Sequence, residues 1–191
     1  MYEAELKFRI DKENLPELEE KLLSFHPSSV LKFIYVDTYY DDPDNSLYQT
    51  EKELRIRRKY AAHSSKAEFL LTFKDIPFDF RSGSKPEYEI SVDDADTLEK
   101  ILDLLGFKKK GAFSKHCILY TLTHKSYEVK AALVSLDKIE DLFLELEITV
   151  ESLDHTTVAL SLLHDFSELL GLSEVNFTKE YYTDMLLGLN K

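Results

Sequence analysis

The sequence predicts an α+β protein in which antiparallel strands form a closed or nearly closed barrel, with helices packed on the outside. Two observations favour this fold class. Charged and apolar side chains alternate over several separate stretches, beginning with Glu3, Glu5 and Lys7, and other segments place leucines at helical spacing. Since alternate side chains point to opposite faces of a strand, each strand has one apolar face for the helices to cover. The charged faces then line the interior.

The alternation of charge and apolarity locates the strands. It recurs with Arg55 and Arg57, with Thr72 and Lys74, with Glu87 and Glu89, and with Glu145 and Glu147. The predicted strands are residues 1–10, 30–40, 53–60, 68–74, 86–92, 114–123, 126–136 and 142–150. Cross-strand ion pairs between the arginines and the glutamates of residues 87–89 are compatible with the same pattern.

Helices are predicted where apolar residues recur every three or four positions and suitable end residues flank them. The predicted helices begin at Asn14, at Asp93 or Asp94, near Asp154 and near Lys179, and they end near His26, Gly106, Gly171 and Leu189. Residues 41–46 and 61–66 are predicted loops, and residues 108–110 a solvated loop between a helix and a strand. No linker divides the chain, so residues 1–191 are predicted to form a single domain.

Composition narrows the classes of function. The formal net charge of −12 over 191 residues argues against nucleic acid as a partner, because phosphate binding needs a basic face. No apolar run approaches the roughly 18 residues of a membrane span, so no membrane partner is expected. The start of the chain lacks an apolar signal core, and the chain has one cysteine, Cys117. A cytoplasmic location is therefore expected.

An ordered set of short motifs points to a known family. The first is Glu3-x-Glu5-x-Lys7. The others are residues 37–41 (DTYYD), 54–57 (LRIR), 71–74 (LTFK), 87–89 (EYE), 106–107 (GF), Lys115, 136–137 (LD) and 143–147 (FLELE). In this order and spacing the set resembles the CYTH superfamily, also called triphosphate tunnel metalloenzymes, over nearly the whole chain. That superfamily includes class IV adenylate cyclases, thiamine triphosphatases and inorganic triphosphatases.

The resemblance implies an eight-stranded antiparallel barrel that forms a triphosphate tunnel, with phosphate-binding cations and metal-binding carboxylates inside. By motif position, the phosphate-binding residues would be Lys7, Arg55, Arg57, Lys74, Lys115 and Lys179. The metal-binding residues would be Glu3, Glu5, Glu87, Glu89, Asp137, Glu145 and Glu147, and the catalytic candidates are Glu5, Lys74 and Glu147. Two positions depart from the family pattern: Cys117 stands where a second basic residue is common, and residues 139–143 lack a glycine.

The residue types fit this chemistry. A triphosphate carries about four negative charges, which arginine binds bidentately and lysine binds as a point charge. Ligand sets made only of carboxylate oxygens select hard cations, so the expected cofactor is Mg²⁺ or Mn²⁺.

The expected function is that of a metal-dependent enzyme acting on a triphosphate. The start of the chain looks most like that of a class IV adenylate cyclase, which converts ATP to cyclic AMP and pyrophosphate. A thiamine triphosphatase or an inorganic triphosphatase is the alternative. The expected substrates are accordingly a nucleoside triphosphate, thiamine triphosphate or inorganic triphosphate. A non-catalytic module that binds a polyphosphate or nucleotide is a second alternative, and a homodimer stays open.

Overall fold

The computed structural model describes residues 1–62, 64 and 66–188. Eight strands form a closed antiparallel barrel: β1 Tyr2–Ile10, β2 Ser29–Asp41, β3 Glu53–Ala61, β4 Glu68–Lys74, β5 Lys85–Val92, β6 Lys108–His124, β7 Tyr127–Leu136 and β8 Ile139–Val150. Their order around the barrel is β1-β5-β4-β3-β2-β6-β7-β8, and β8 closes the sheet by pairing with β1. The predicted fold class and the implied eight-stranded barrel are therefore confirmed.

Helices flank the sheet. They are α1 Leu15–Ser24, α2 Ser46–Gln49, α3 Ala95–Leu104, α4 Thr156–Leu169 and α5 Tyr182–Leu187, with a 3-10 turn at Leu153–His155 before α4. Among the described residues, every helix is too short or too polar to span a lipid bilayer.

The apolar faces of the strands point outward and are covered by helices. Helix α4 packs on β1 and β8. This main core includes Leu6, Phe8, Leu144, Leu146, Leu163 and Phe166, all of them buried. A second apolar cluster, which includes Ile56 of β3 and Leu102 of α3, covers the other side of the barrel. The inner faces carry the charged side chains, as the alternation predicts, together with a third apolar cluster that includes Tyr39, Phe113 and Phe143.

The barrel closes unevenly between β1 and β5. Strand β1 pairs with β8 over its full length, but it pairs with β5 only at Tyr2 and Glu3. The free edge of β1 is filled by the chain near its C-terminus: the Arg9 amide donates to the Asn176 carbonyl at 2.7 Å, and the Thr178 amide donates to the Lys7 carbonyl at 2.8 Å. These bonds place the following residues, 179–187, beside the barrel interior.

Several predicted boundaries are wrong. Residues 108–110 belong to β6, because β2 continues to Asp41 and pairs with Lys108 and Lys109 past an irregularity at residues 39–40. The predicted loop at residues 41–46 ends in the unpredicted helix α2. The last helix begins at Tyr182, not Lys179, and its predicted end at Leu189 lies outside the described residues.

Two predicted helix caps have different outcomes. The Asp94 carboxylate accepts hydrogen bonds from the amides of Asp96 and Thr97, which confirms it as the cap of α3. Asn14 precedes α1, but its side chain makes no capping hydrogen bond, because its backbone already adopts the helical conformation.

Burial on α4 yields a stability prediction with a matched control. Leu163 is fully buried in the main core, whereas Leu169 of the same helix is 55% exposed. We expect Leu163→Ala to lower the free energy of unfolding by about 2–5 kcal/mol through loss of contacts and creation of a cavity. Leu169→Ala should cost less than about 1 kcal/mol. Urea unfolding measures both values, and equal losses would contradict this packing.

Candidate active site

One cavity of about 370 Å³ inside the barrel contains most of the residues that the motifs imply. Its lining includes Lys7, Arg55, Arg57, Lys74, Lys115 and Lys179 among the implied phosphate-binding residues. It also includes Glu3, Glu5, Glu87, Glu89, Glu145 and Glu147 among the implied metal-binding residues. These side chains come from β1, β3, β4, β5, β6, β8 and the segment before α5, so only the closed barrel brings them together.

The register between β1 and β8 sets up the acidic wall. Glu5 lies opposite Glu147, and Lys7 lies opposite Glu145. Because residues two apart in a strand share a face, all four side chains point into the cavity. Like-charged carboxylates directly opposite each other destabilise a sheet unless cations compensate them.

Lys74 of β4 is the cation that three of the buried carboxylates share. Its Nζ forms an ion pair with Glu3, lies 2.7 Å from Glu87 Oε2, and lies 4.0 Å from Glu5 Oε2. Burial alone would lower the pKa of Lys74, but these carboxylates outweigh it and raise the pKa well above its usual value. Lys74 therefore stays charged.

The carboxylates around Lys74 titrate differently because their surroundings differ. Burial raises the pKa of Glu3 well above its usual value, and Glu147 and Glu87 add to this rise against the effect of Lys74. Burial together with Glu145 raises the pKa of Glu5. Burial would also raise the pKa of Glu87, but Lys74 and Arg55 reverse that effect and lower it. Burial therefore favours the neutral forms of Glu3 and Glu5, whereas Lys74 and Arg55 keep Glu87 charged.

A second ion pair joins β6 to β8. Lys115 Nζ lies 2.9 Å from Oε1 and 2.6 Å from Oε2 of Glu145, and both side chains are largely buried. Burial would raise the pKa of Glu145, but Lys115 and Lys7 lower it to about 2. In Lys7, burial dominates and lowers the pKa of the ammonium despite the neighbouring glutamates.

Two arginines of β3 are held by Asp37, a residue to which the family motifs assign no role. Arg57 donates two hydrogen bonds of 2.7 Å to the Asp37 carboxylate, and Arg55 lies 3.8 Å from it. Arg55 also reaches Glu87 at 3.9 Å, an ion pair that the sequence pattern allowed. The Arg57 guanidinium lies 4.1 Å from the centre of the Tyr35 ring. These contacts hold both guanidinium groups in the interior.

The segment around α5 covers one side of this cluster. Lys7 Nζ donates to the Glu180 carbonyl. The Tyr182 ring centre lies 4.4 Å from Lys7 Nζ and 5.1 Å from Lys115 Nζ. Helix α5 therefore packs against residues of the lumen, including Phe143, and not against an outer face as the sequence predicts. Lys179 lines the cavity from this segment and is exposed.

Asp137 is placed away from the cavity, contrary to the role that its motif implies. It lies in the turn between β7 and β8, its side chain is 48% exposed, and it is 2.8 Å from His116 Nε2. The pairing shifts between Ser135 and Leu136, which leaves Asp137 in the turn and outside the inward-facing set. Glu89 does line the cavity, but it is exposed and accepts a hydrogen bond of 2.8 Å from Thr72 Oγ1.

The structure adds charged lining residues that the motif analysis missed. They are Glu53, Lys59, Lys85 and Lys130. Lys85 is buried and lies 2.6 Å from Glu53, and Lys130 lies 3.0 Å from Glu147. The alternation could have identified Glu53, which is two residues before Arg55. It could have identified Lys130 only once the register of β7 with β8 was known.

Cys117 also lines the cavity, at the position where the family often has a basic residue. Its thiol is buried, and burial raises its pKa to about 11. The departure from the family pattern therefore places a neutral group on this part of the wall.

The carboxylate oxygens of the acidic wall suit a hard divalent cation, although lysines now contact several of them. Glu3, Glu5, Glu145 and Glu147 converge as oxygen donors, and burial raises the pKa values of Glu3 and Glu5, so a cation bound there would stabilise their charged forms. Lysines hold these carboxylates in the present arrangement. Among the described residues no three His, Cys, Asp or Glu side chains stand in a ready-made metal-binding geometry.

Fold and site together define a β-barrel tunnel protein whose interior is lined mainly by ionic groups and whose main apolar core lies outside the sheet. The family model for the CYTH domain matches residues 1–182, and the chain belongs to this family. The resemblance inferred from the ordered motifs is thereby confirmed.

Three similar proteins cover nearly the whole chain. A Methanocaldococcus jannaschii protein that is provisionally named an adenylate cyclase is 27% identical over 187 residues, which is 97% of this chain and 98% of that protein. The structure of a Pyrococcus horikoshii protein is similar with a TM-score of 0.83 and 28% identity, covering 99% of this chain and 100% of that one.

The third protein, from Hippeastrum, is provisionally named an adenylyl cyclase and described as having a dominant triphosphatase activity. It has a TM-score of 0.66 and 16% identity, covering 98% of this chain and 96% of that one. At this identity the likeness shows the fold alone.

The Asp37 contacts generate a prediction about acid unfolding. Burial would raise the pKa of Asp37, but Arg57 and Arg55 lower it from 3.8 to about 2. A carboxyl whose pKa is lower in the folded state stabilises the fold above the unfolded-state pKa, and this stabilisation is lost as the pH falls through the folded-state pKa. We expect it to contribute roughly 2 kcal/mol, lost as the pH falls from about 4 to about 2.

Urea unfolding between pH 5 and pH 2 checks this expectation. The Asp37→Asn variant should lack this part of the acid dependence, whereas Asp11→Asn, at an exposed position, should retain it. Identical acid dependence in wild type and Asp37→Asn would contradict the assignment.

Proposed function

We propose that this protein is a divalent-metal-dependent enzyme that acts on a triphosphate bound in the barrel cavity. The observation that carries the proposal is the convergence of buried basic and acidic side chains on one cavity. Lysine and arginine outnumber glutamate by nine to seven among its described lining residues, although the whole chain has a net charge of −12. A cavity that is locally basic in an acidic protein favours a small anion as its ligand.

The basic side chains suit a linear polyphosphate. Arg55 and Arg57 present guanidinium groups that Asp37 orients, and Lys7, Lys74 and Lys115 present point charges from three other strands. Phosphate oxygens would take the place of the carboxylates that these cations now contact. Charge-assisted bonds from several directions hold a polyanion without requiring contacts to an organic group.

Glu3, Glu5, Glu145 and Glu147 would hold Mg²⁺ or Mn²⁺, with Glu87 beside Lys74 as a further acidic neighbour. Bound there, the metal would neutralise charge that develops on the phosphate groups. Glu5 and Glu147 are the candidates to take up the proton of the attacking hydroxyl group. Lys74 would stabilise negative charge on the triphosphate.

Within this reaction class we place an adenylate cyclase first. The M. jannaschii relative provisionally named as such is 27% identical over 97% of this chain, and the start of the chain resembles that branch. In that reaction the ribose 3′-hydroxyl attacks the α-phosphate, and pyrophosphate leaves. The alternative is hydrolysis of thiamine triphosphate or inorganic triphosphate. In that reaction water is the nucleophile, and the same basic residues would bind the phosphate groups.

Product analysis tests the activity. Incubation of the wild type with ATP and Mn²⁺ should give cyclic AMP and pyrophosphate, whereas phosphate release from tripolyphosphate or thiamine triphosphate would identify a hydrolase. Glu147→Gln should lower turnover by at least ~100-fold, because it removes a metal ligand and a candidate base. The control is Glu151→Gln, at an exposed residue just after β8, which should leave turnover unchanged. Normal turnover in Glu147→Gln would contradict the assignment.

Binding is tested separately by thermal unfolding. Tripolyphosphate at ~100 times its Kd should add roughly 2.7 kcal/mol of stability and raise the Tm by roughly 5–10 °C. Lys7→Met should reduce this shift, and Lys12→Met, at an exposed position, should not. A shift without any product from the three substrates would favour a non-catalytic binding module. No shift with any triphosphate would contradict the ligand class.

A further inference from the structure

Lys130 of β7 is a charged group of the cavity to which neither the motifs nor the proposed reaction gives a role. It lies in register with Glu147, and its Nζ is 3.0 Å from Glu147 Oε1. Thr149 Oγ1 donates to the same oxygen at 2.8 Å. This glutamate oxygen is therefore bound by an ammonium group at the position where a divalent cation would bind.

The electrostatic neighbourhood of Lys130 is the acidic wall itself. Glu147 lies opposite Glu5, and the Lys130 ammonium is also attracted by Glu3. A metal ion on Glu147 and an ammonium on the same carboxylate would repel each other strongly at such short range. The two cations therefore compete for this carboxylate.

Exposure distinguishes Lys130 from the buried lysines of the cavity, whereas Lys179, which is also exposed, lies on the segment before α5. The Lys130 side chain is 39% exposed, compared with 14% for Lys74, 10% for Lys115 and 3% for Lys85. Lys74 is held by carboxylates on several sides, whereas the ion pair of Lys130 is at the solvated part of the wall. A lysine there has a flexible stem and can change partner at low cost.

We propose that Lys130 is an exchangeable cation of the metal site. It neutralises Glu147 when no metal is bound, and it is displaced when a divalent cation binds to that carboxylate. The released ammonium then faces the anionic substrate. This inference rests on the proposed function in one respect, namely that Glu147 is a metal ligand.

The test measures Mn²⁺ binding without any substrate, by electron paramagnetic resonance of the free ion. Lys130→Met keeps most of the side-chain stem and removes the competing charge. We expect it to bind Mn²⁺ at least tenfold more tightly than the wild type, and Lys130→Arg to behave like the wild type. The matched control is Lys59→Met, which removes a charge from the same cavity where the lysine pairs with Glu68 at 3.0 Å. That control should stay within about threefold of the wild type.

The outcomes separate the inference from the proposed function. Equal Mn²⁺ affinity in Lys130→Met and wild type, whether measurable or absent in both, would overturn the exchange. So would an equal gain in Lys59→Met, because the effect would then come from the general charge of the cavity. Circular dichroism confirms that each variant is folded. Absence of triphosphate turnover in a wild type that shows the expected Mn²⁺ pattern would count against the proposed enzyme and leave the exchange standing.

Discussion

The structure depends on the pairing of charges inside a closed sheet. Taking an ammonium or carboxylate out of water costs several kcal/mol per ion, and that cost is offset only where the geometry provides opposite charges. Lys74 meets Glu3 and Glu87, Lys115 meets Glu145, and Arg57 meets Asp37. Each of these pairs joins different strands, so the ions are satisfied only when the sheet is assembled. The same pairs hold the strands in the register that builds the site.

This pairing also determines which charges a ligand needs in order to replace the internal ion pairs. A bare polyanion would compensate the lysines and arginines but would leave the glutamates of the acidic wall without partners. A bare divalent cation would do the reverse. A metal–polyphosphate complex carries both signs and can replace both halves of each internal pair at once. Burial raises the pKa values of Glu3 and Glu5, so the charged forms of these two carboxyls gain most from a cation on the acidic side of the cavity.

The parts of this arrangement that follow from local periodicity could be predicted from sequence. Alternation placed Glu3, Glu5 and Lys7 on one face, and the closed sheet brought that face inward as expected. Properties that depend on pairing between strands were not accessible. Asp137 falls in a turn because of an irregularity at residues 135–136. Lys130 acquires a partner only through the register of β7 with β8, which no local pattern encodes.

The position of residues 176–187 also depends on long-range contacts that no local sequence pattern predicts. These residues link the fold to the site. Strand β5 pairs with only two residues of β1, Tyr2 and Glu3. In a sheet built only from the eight strands, the rest of β1 would therefore lack a neighbour on that side. The backbone of residues 176–178 fills that gap and directs Tyr182 over the ammonium groups of Lys7 and Lys115. An aromatic face attracts such cations without neutralising them. The segment that completes the barrel therefore leaves the charge of those lysines available to an anion.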